Sequence, residues 1–151
     1  MKIQLKPIAF VTNSRIEPTD DHWSPMISEI TLAEEIPTES LDHIVDFSHL
    51  EIIYYFDKVD ENKIVFAGHP RGNPSYPCVG IFAQRKKDRP NKIGLCTVVL
   101  ISHHERSLTV KILDAINNTP IIDIKPVMKE FMPKGEVRQP EWVGDLMKNY
   151  W

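Results

Sequence analysis

The sequence predicts a mainly β protein: a small single-domain β-barrel of about seven strands, with short helices and a C-terminal helix. Short stretches rich in β-branched and aromatic residues recur along the chain, Gly, Pro, Asn and Asp separate them, and helical patterns are few. With 151 residues the chain is long enough to bury one core without disulfide or metal support. We therefore expect residues 1–151 to form one barrel domain.

Four stretches in the first half of the chain have strand character. Residues 2–12 hold apolar side chains in a partly alternating pattern, and Pro7 suits an edge strand or a bulge. Residues 26–32 alternate between polar and apolar side chains. Residues 50–59 are the most strongly β-prone, because β-branched and aromatic side chains follow one another there. A further short strand is expected at 63–67.

Four more strands and two helices complete the predicted fold. The strands are expected at 79–84, 94–102, 107–113 and 119–124, and the third of these alternates most clearly. A short helix is expected within 37–45, where Thr38 follows a proline. Residues 141–151 are expected to form the C-terminal helix, whose apolar side chains pack either on its own barrel or on a neighbouring molecule.

The composition is ordinary for a soluble globular protein, with 42% hydrophobic and 26% charged residues. The net charge of −3 gives no overall basic surface for nucleic acid, so RNA binding requires a local basic patch. No apolar run approaches membrane-spanning length, and the first residues do not open a signal peptide. Cys78 and Cys96 lack zinc or redox spacing, so we expect two buried thiols in a cytoplasmic protein without a metal or a membrane partner.

The stretch from Gly68 to Leu95 carries the strongest functional signal. It is rich in Gly and Pro, which are costly in regular structure, and it contains a basic cluster made of Arg85, Lys86, Lys87, Arg89 and Lys92. Rigid loops with cationic side chains at their rim are typical of a site for an anionic or zwitterionic ligand. We expect the three lysines to be solvated charges that make weak phosphate contacts.

Several motifs together resemble one known family. They are PIAFVTNS at 7–14, HPRGNP at 69–74, GIFAQRKKDRPNKIGL at 80–95, LDAINNTPIIDIKP at 113–126 and the closing EVRQPEWVGDLMKNYW at 136–151. With them the chain resembles a short, single-domain branch of the TrmO (TsaA-like) family of S-adenosylmethionine-dependent methyltransferases. The resemblance implies a β-barrel that works as a homodimer, with S-adenosylmethionine as the cofactor. It also implies methylation of the exocyclic nitrogen of threonylcarbamoyl-adenosine in tRNA.

The resemblance places cofactor contacts on Arg85, on Leu95 and on the turn made of Asn117, Asn118, Thr119 and Pro120. Asn117 and Asn118 replace the Asp-Gly that the family usually carries, and Asn tolerates the left-handed backbone angles of such a turn. Asp114 joins this set. Together with Asn117 it either holds a ribose hydroxyl or the amine of the cofactor, or it caps the turn locally. Arg85 either forks onto a carboxylate or phosphate, or is solvated or paired with Asp88.

Substrate contacts are predicted at Arg71, Arg89 and Asn91. Each has a structural alternative, since prolines shape the crossover around Arg71 and an ordinary turn accounts for 89–91. The candidates for the catalytic proton acceptor are His69 and Asp57, which stands where many members of the family carry His.

Two further interpretations concern neighbouring segments. The aromatic run at 54–56 supplies either an aromatic floor for adenine or ordinary barrel core. Asp123 and Lys125 are expected to form a buried structural ion pair. The Pro-Arg-Gln triplet that the family carries in its first loop is not visible between Ile16 and Met26. This altered loop, together with Asn117-Asn118 in place of Asp-Gly, favours the alternative function, a non-catalytic barrel that binds S-adenosylmethionine or RNA.

Overall fold

Six antiparallel strands close into a barrel in the computed structural model, which describes all residues from 1 to 151. The barrel strands are β1 (Ala9–Thr12), β2 (Ile27–Leu32), β3 (His49–Tyr55), β6 (Ile93–His104), β7 (Ser107–Lys111) and β8 (Pro120–Pro126). The order around the barrel is β1-β2-β7-β6-β3-β8, and β8 pairs back onto β1. A separate two-stranded sheet joins β4 (Ala67–Gly68) to β5 (Val79–Gly80). The predicted barrel is confirmed, with six strands in place of about seven.

The Gly- and Pro-rich segment explains most of the difference in strand number. The strands expected at 63–67 and 79–84 shorten to β4 and β5, which lie outside the barrel. Tight 3-10 turns at Glu61–Lys63 and Ile81–Ala83, whose i to i+3 bonds replace ladder pairing, take one end of the first predicted strand and half of the second. The predicted first strand is also shorter than 2–12, since β1 begins only at Ala9, two residues after Pro7.

Helical structure is scarce and short. The helix expected within 37–45 consists of two 3-10 turns, Thr38–Leu41 and Ile44–Asp46. Further 3-10 turns lie at Pro70–Gly72 and Lys129–Phe131. Of the predicted C-terminal helix only α1 (Glu141–Leu146) is formed, and turns follow it. No helix of the protein has the length and apolar character needed to cross a membrane.

The core follows from the two-residue period of the strands. In β3 the buried positions are Leu50, Ile52 and Tyr54, and the residues between them are more exposed. Cys96 and Val98 of β6 face the same interior. Burying each large apolar side chain contributes about 1.5–3 kcal/mol, so these alternating positions determine the register of the barrel. Among the buried residues of β3, only Tyr54 has a polar group, its phenol hydroxyl.

The C-terminal segment packs on its own barrel, which decides between the two alternatives. The N–H groups of His22 and Trp23 donate to the carbonyls of Asn149 and Tyr150, each at 2.9 Å. The hydroxyl of Tyr76 donates to Asp145 at 2.6 Å. The segment is therefore tied both to the loop before β2 and to the loop before β5.

Three expectations about individual side chains are wrong. Cys96 is buried as expected, but Cys78 is exposed. Asp123 and Lys125 do pair, at 2.5 Å, yet both side chains are about half exposed, because they lie on the outer face of β8. Lys92 is buried, whereas it was expected to be a solvated charge. Its ammonium group contacts the carboxylate of Glu61, which compensates for the loss of water.

Candidate functional site

A cleft of about 280 Å³ lies where β3 and β6 meet the loop at 82–89. It gathers four of the predicted cofactor- and substrate-binding residues, namely Arg85, Arg89, Leu95 and Asp114. Tyr54 lines its inner end, and aromatic and aliphatic side chains such as Phe56, Phe82 and Ile93 add apolar walls. A polar cleft with apolar walls and few charged groups is typical of a small-molecule site.

A second, more open groove of about 570 Å³ runs beside β1 and β2. Its charged side chains are Glu34 and Glu35, and none of the predicted site residues lines it. Two exposed carboxylates do not suit the anionic or zwitterionic ligand that the basic cluster indicates. The smaller cleft is therefore the better candidate.

The guanidinium of Arg85 is held at the edge of the cleft by the backbone. Its Nη2–H donates to the carbonyl of Leu95. The alternative pairing with Asp88 is not formed, because the carboxylate of Asp88 contacts Lys86 at 3.4 Å and Lys87 at 3.2 Å. Since a guanidinium carries five N–H donors, most of them remain free for a ligand in the cleft.

Two phenols hold the carboxylate of Asp114. The hydroxyl of Tyr54 donates to Oδ1 at 2.7 Å, and the hydroxyl of Tyr150 donates to Oδ2 at 2.5 Å. Tyr54 comes from the barrel core and Tyr150 from the C-terminal segment, so two separate elements fix this side chain. Asp114 is the only carboxylate that lines the cleft.

Burial and the charge of Asp114 keep the nearby Tyr54, Tyr150 and Cys96 protonated. Burial, followed by the charge of Asp114, raises the pKa of Tyr54 and of Tyr150. The same two causes, in the same order, raise the pKa of the Cys96 thiol. At neutral pH both phenols are therefore hydrogen-bond donors. Cys96 stays a neutral thiol, which donates to the carbonyl of Ile112 at 3.1 Å, and it is not a thiolate nucleophile.

The predicted turn at 117–120 lies next to Asp114 in the chain but does not line the cleft. Asn117 accepts a hydrogen bond from the N–H of Asn13 at 3.1 Å, which is the local capping alternative. Asn118 has φ +64°, so Asn occupies the left-handed position expected for it. Thr119 and Pro120 are buried as the chain enters β8.

The remaining predicted residues are separate from the cleft. Arg71 forks onto Asp21, with distances of 2.7 and 3.2 Å. His69 bonds through Nδ1 to the carbonyl of Tyr76 at 2.6 Å, and Asp57 pairs with Lys58 at 3.0 Å. Only the Arg71 contact joins two loops, and neither catalytic candidate lines the cleft.

The predicted substrate loop at 89–91 is partly engaged in turn chemistry. Arg89 lines the cleft, and its Nη1–H also donates to the carbonyl of Gln84 at 2.9 Å. That bond closes the loop between the two residues. Asn91 is exposed beside it and does not line the cleft.

Sequence reasoning missed the two phenols on Asp114. The aromatic run at 54–56 gives Tyr54 no partner, and Tyr150 has no predicted role within the C-terminal segment. The strict alternation of β3 is a signal that places Tyr54 inside the barrel. No local pattern points to Tyr150, because its partner is 36 residues away.

Comparison with known proteins agrees with this architecture. The family model of the tRNA-methyltransferase O N-terminal domain matches residues 10–132. The chain belongs to this family. Among curated relatives, an S-adenosyl-L-methionine-binding protein of Archaeoglobus fulgidus is 32% identical over 130 residues, which cover 83% of this chain and 90% of that protein. A human tRNA (adenine(37)-N6)-methyltransferase is 31% identical over 114 residues, which cover 75% of this chain but only 25% of that protein.

Solved structures of TrmO share the fold. One crystal structure superposes with a TM-score of 0.77 and 21% identity, covering 92% of this chain and 64% of the TrmO chain. A TrmO structure from Pseudomonas aeruginosa gives a TM-score of 0.75 and 22% identity, covering 91% of this chain and 61% of that chain. The chain thus spans less than two thirds of the length of these TrmO chains. Tyr150 and the rest of the C-terminal segment lie beyond the residues that the family model matches.

Proposed function

We propose that the protein binds S-adenosylmethionine in this cleft and transfers its methyl group to a modified adenosine of tRNA. One observation carries the proposal: a guanidinium and a carboxylate without a cationic partner line the same cleft between apolar walls. The cofactor is zwitterionic at its amino-acid end and aromatic at its adenine end. The names of the archaeal relatives, which are S-adenosyl-L-methionine-binding proteins, support the same ligand.

The residues of the cleft fit the parts of this ligand. The guanidinium of Arg85 suits the carboxylate of the methionyl group, because the two can form paired N–H···O bonds. Asp114 suits its ammonium group or a ribose hydroxyl. Phe56 and Phe82 offer apolar area to the adenine ring.

Methyl transfer makes modest demands on this site. The sulfonium supplies an activated methyl group, and an in-line displacement then requires positioning and the exclusion of water. A nitrogen acceptor must also lose a proton. Of the two candidates for accepting it, Asp57 is the better placed, since it directly follows Phe56 of the cleft wall. His69 is already bonded to a backbone carbonyl.

The proposed acceptor is the exocyclic nitrogen of threonylcarbamoyl-adenosine. The name of the human relative specifies adenine in tRNA and supports a tRNA acceptor. The threonylcarbamoyl group itself rests on the family resemblance. Arg89 in the cleft, with Lys86 and Lys87 beside it, provides a local basic rim on a protein of net negative charge. Each of these three cations has a partner within the loop, so we expect modest affinity for tRNA.

We further propose that two copies of the chain associate. The family resemblance implies a homodimer, and Phe66 and Phe131, each at least 75% exposed, are apolar side chains that a second copy can cover. Light scattering after gel filtration tests this point: a mass near twice 17.4 kDa supports a homodimer, and a monomeric mass at micromolar concentration overturns it.

The second candidate function is a cofactor-binding barrel without catalysis. The relative from A. fulgidus favours it, because that protein is named only for binding and this chain covers nine tenths of it. The two functions differ in methyl transfer and agree in cofactor binding, so they can be separated experimentally.

Calorimetric titration with S-adenosylmethionine and with S-adenosylhomocysteine tests the shared step. We expect one ligand per chain, and we expect Arg85→Ala to weaken binding about tenfold or more. Lys87→Ala is the matched control, because it removes a neighbouring cation that does not line the cleft. Failure of the folded wild-type protein to bind either ligand overturns the cofactor assignment.

Transfer of a labelled methyl group to tRNA then decides between the two functions. Incorporation into tRNA that carries threonylcarbamoyl-adenosine, but not into tRNA that lacks it, supports the enzyme and its proposed acceptor. Binding of the cofactor without incorporation into any tRNA favours the non-catalytic barrel.

A further inference from the structure

The C-terminal segment brings Tyr150 onto the only carboxylate of the cleft. The carbonyl of Tyr150 itself accepts from the N–H of Trp23 at 2.9 Å, and the preceding carbonyl of Asn149 accepts from His22. The backbone is therefore fixed at the residue whose hydroxyl reaches Asp114. Tyr150 does not line the cleft, so it acts on a ligand there only through Asp114.

The carboxylate of Asp114 has neutral partners only. Phenols donate to both of its oxygens, and no nitrogen of Lys, Arg or His lies within the 4.0 Å of a salt bridge. A partly buried carboxylate is stabilised either by a cation or by hydrogen-bond donors, and Asp114 has only the donors. Neutral donors orient and stabilise the anion without cancelling its charge. The negative charge of Asp114 therefore remains available to a cation in the cleft.

Open acceptor positions remain on the same group. The two carboxylate oxygens offer about four lone-pair sites, and one phenol occupies a site on each oxygen. Burial raises the pKa of both phenols, so they keep their protons and remain donors through neutral pH. Tyr54 is fixed by the barrel and Tyr150 by the C-terminal segment, so each limits the rotation of the carboxylate from a different side.

We propose that Tyr150 is a positioning residue, which orients the carboxylate of Asp114 toward a cationic group of bound S-adenosylmethionine. The inference rests on the proposed function, since it concerns the ligand of the same cleft. The cationic group is the ammonium or the sulfonium of the cofactor. Both present a positive charge, and ligand analogues distinguish them.

The test is a double-mutant cycle read by calorimetry, with Tyr150→Phe, Asp114→Asn and the combined variant. We expect Tyr150→Phe to weaken S-adenosylmethionine binding about tenfold, the usual scale for a hydrogen bond to a charged group. Asp114→Asn weakens it at least as much. In the Asp114→Asn background Tyr150→Phe adds less than twofold, because its effect passes through that carboxylate.

Binding of three ligands, S-adenosylmethionine, S-adenosylhomocysteine and methylthioadenosine, shows which cationic group of the cofactor Asp114 contacts. If Asp114 contacts the ammonium group, S-adenosylhomocysteine suffers the same loss in the Tyr150→Phe variant. Methylthioadenosine, which lacks the amino-acid group, then binds wild type and variant alike. If Asp114 contacts the sulfonium, the loss is confined to S-adenosylmethionine. Equal losses for all three ligands, which share the ribose, indicate either a ribose contact of Asp114 or a general structural defect, and both overturn the role toward a cationic group.

The matched control is Tyr76→Phe. It removes another phenol that anchors the C-terminal segment, since Tyr76 donates to Asp145, but it leaves Asp114 untouched. We expect its S-adenosylmethionine affinity to stay within twofold of wild type. A loss as large as that of Tyr150→Phe assigns the effect to docking of the segment and overturns the positioning role.

The two proposals fail in different ways. Wild-type protein that binds the cofactor, with a folded Tyr150→Phe variant that binds it equally well, overturns the role of Tyr150 and leaves the proposed function in place. Additive losses in the cycle do the same. Wild-type protein that binds neither S-adenosylmethionine nor S-adenosylhomocysteine overturns both.

Discussion

Gly94 lies directly opposite Tyr54 in the pair formed by β3 and β6, and a Cβ at position 94 would come within 2.3 Å of the Tyr54 ring. The absent side chain is what allows the ring to lie against the backbone of β6. From there the phenol reaches Asp114. Gly94 in β6 thereby helps to set the position of the Asp114 carboxylate, through the Tyr54 ring.

Gly94→Ala is expected to destabilise the protein by about 1–3 kcal/mol, because the added methyl group overpacks a closed core. It should also weaken binding of S-adenosylmethionine, since the Tyr54 ring must move away from its present position. Denaturant unfolding and calorimetry measure the two effects. Gly68→Ala is the control, because no atom lies within 4 Å of a Cβ there. Equal stability of the two variants would contradict the close approach.

The barrel was predictable because strand alternation is a local property. Residues 107–113 show it in the sequence, and β7 follows as Ser107–Lys111 with Leu108 and Val110 buried. The extent of the barrel was not predictable in the same way. Whether 63–67 pairs with a barrel strand depends on the path of the Gly- and Pro-rich segment around it, and no local pattern encodes that path.

The candidate site likewise contains residues that local motifs predict and contacts that only the closed fold creates. Arg85, Leu95 and Asp114 were predicted from contiguous motifs, and the structure places all three in one cleft. Tyr150 joins Asp114 by a contact across 36 positions, and the buried Lys92 contacts Glu61 across 31. Long-range pairs of this kind depend on the closed fold, so a single sequence does not reveal them.

The buried lysine gives a second testable consequence. Lys92 contacts Glu61 and lies 4.9 Å from the centre of the Tyr55 ring, so replacing it leaves the carboxylate and the ring without their cation. We expect Lys92→Met to lower the melting temperature clearly more than Lys87→Met, which removes a half-exposed cation from the same basic cluster. Equal melting temperatures for the two variants would show that burial of Lys92 adds nothing to stability.

Stability should fall at alkaline pH. Burial raises the pKa of Tyr54 and Tyr150 above the ordinary 10.0, and that of Cys96 above the ordinary 9.0. Near neutral pH, well below these ordinary values, all three are protonated in both the folded and the unfolded chain, so their contribution is fully present. Above these ordinary values the unfolded chain releases protons that the folded chain retains. The free energy of unfolding then falls, by at most about 1.4 kcal/mol per pH unit for each group.

Chemical denaturation between pH 7 and pH 11 measures this slope. Tyr150→Phe removes one of the three protons, so its free energy of unfolding should fall less steeply above pH 10 than that of the wild type. Melting at pH 8, where the phenol is protonated in both states, provides the reference for the loss of the hydrogen bond itself. Parallel slopes for the two proteins above pH 10 would exclude Tyr150 from the alkaline transition.

Asn118 permits a test of the turn that departs from the family pattern. Its φ of +64° lies in the left-handed region, where a Cβ costs about 1–2 kcal/mol unless Gly or Asn stands there. Asn118→Ala should therefore destabilise the protein by about 1 kcal/mol, and Asn118→Gly, which restores the usual residue of the family, should stay near the wild type. Denaturant midpoints of the two variants measure the difference. Equal midpoints would mean that the turn relaxes to another conformation at no cost. The hydrogen bond that the N–H of Asn118 donates to the carbonyl of Val11, at 2.7 Å, would then not be required for the chain to form β8.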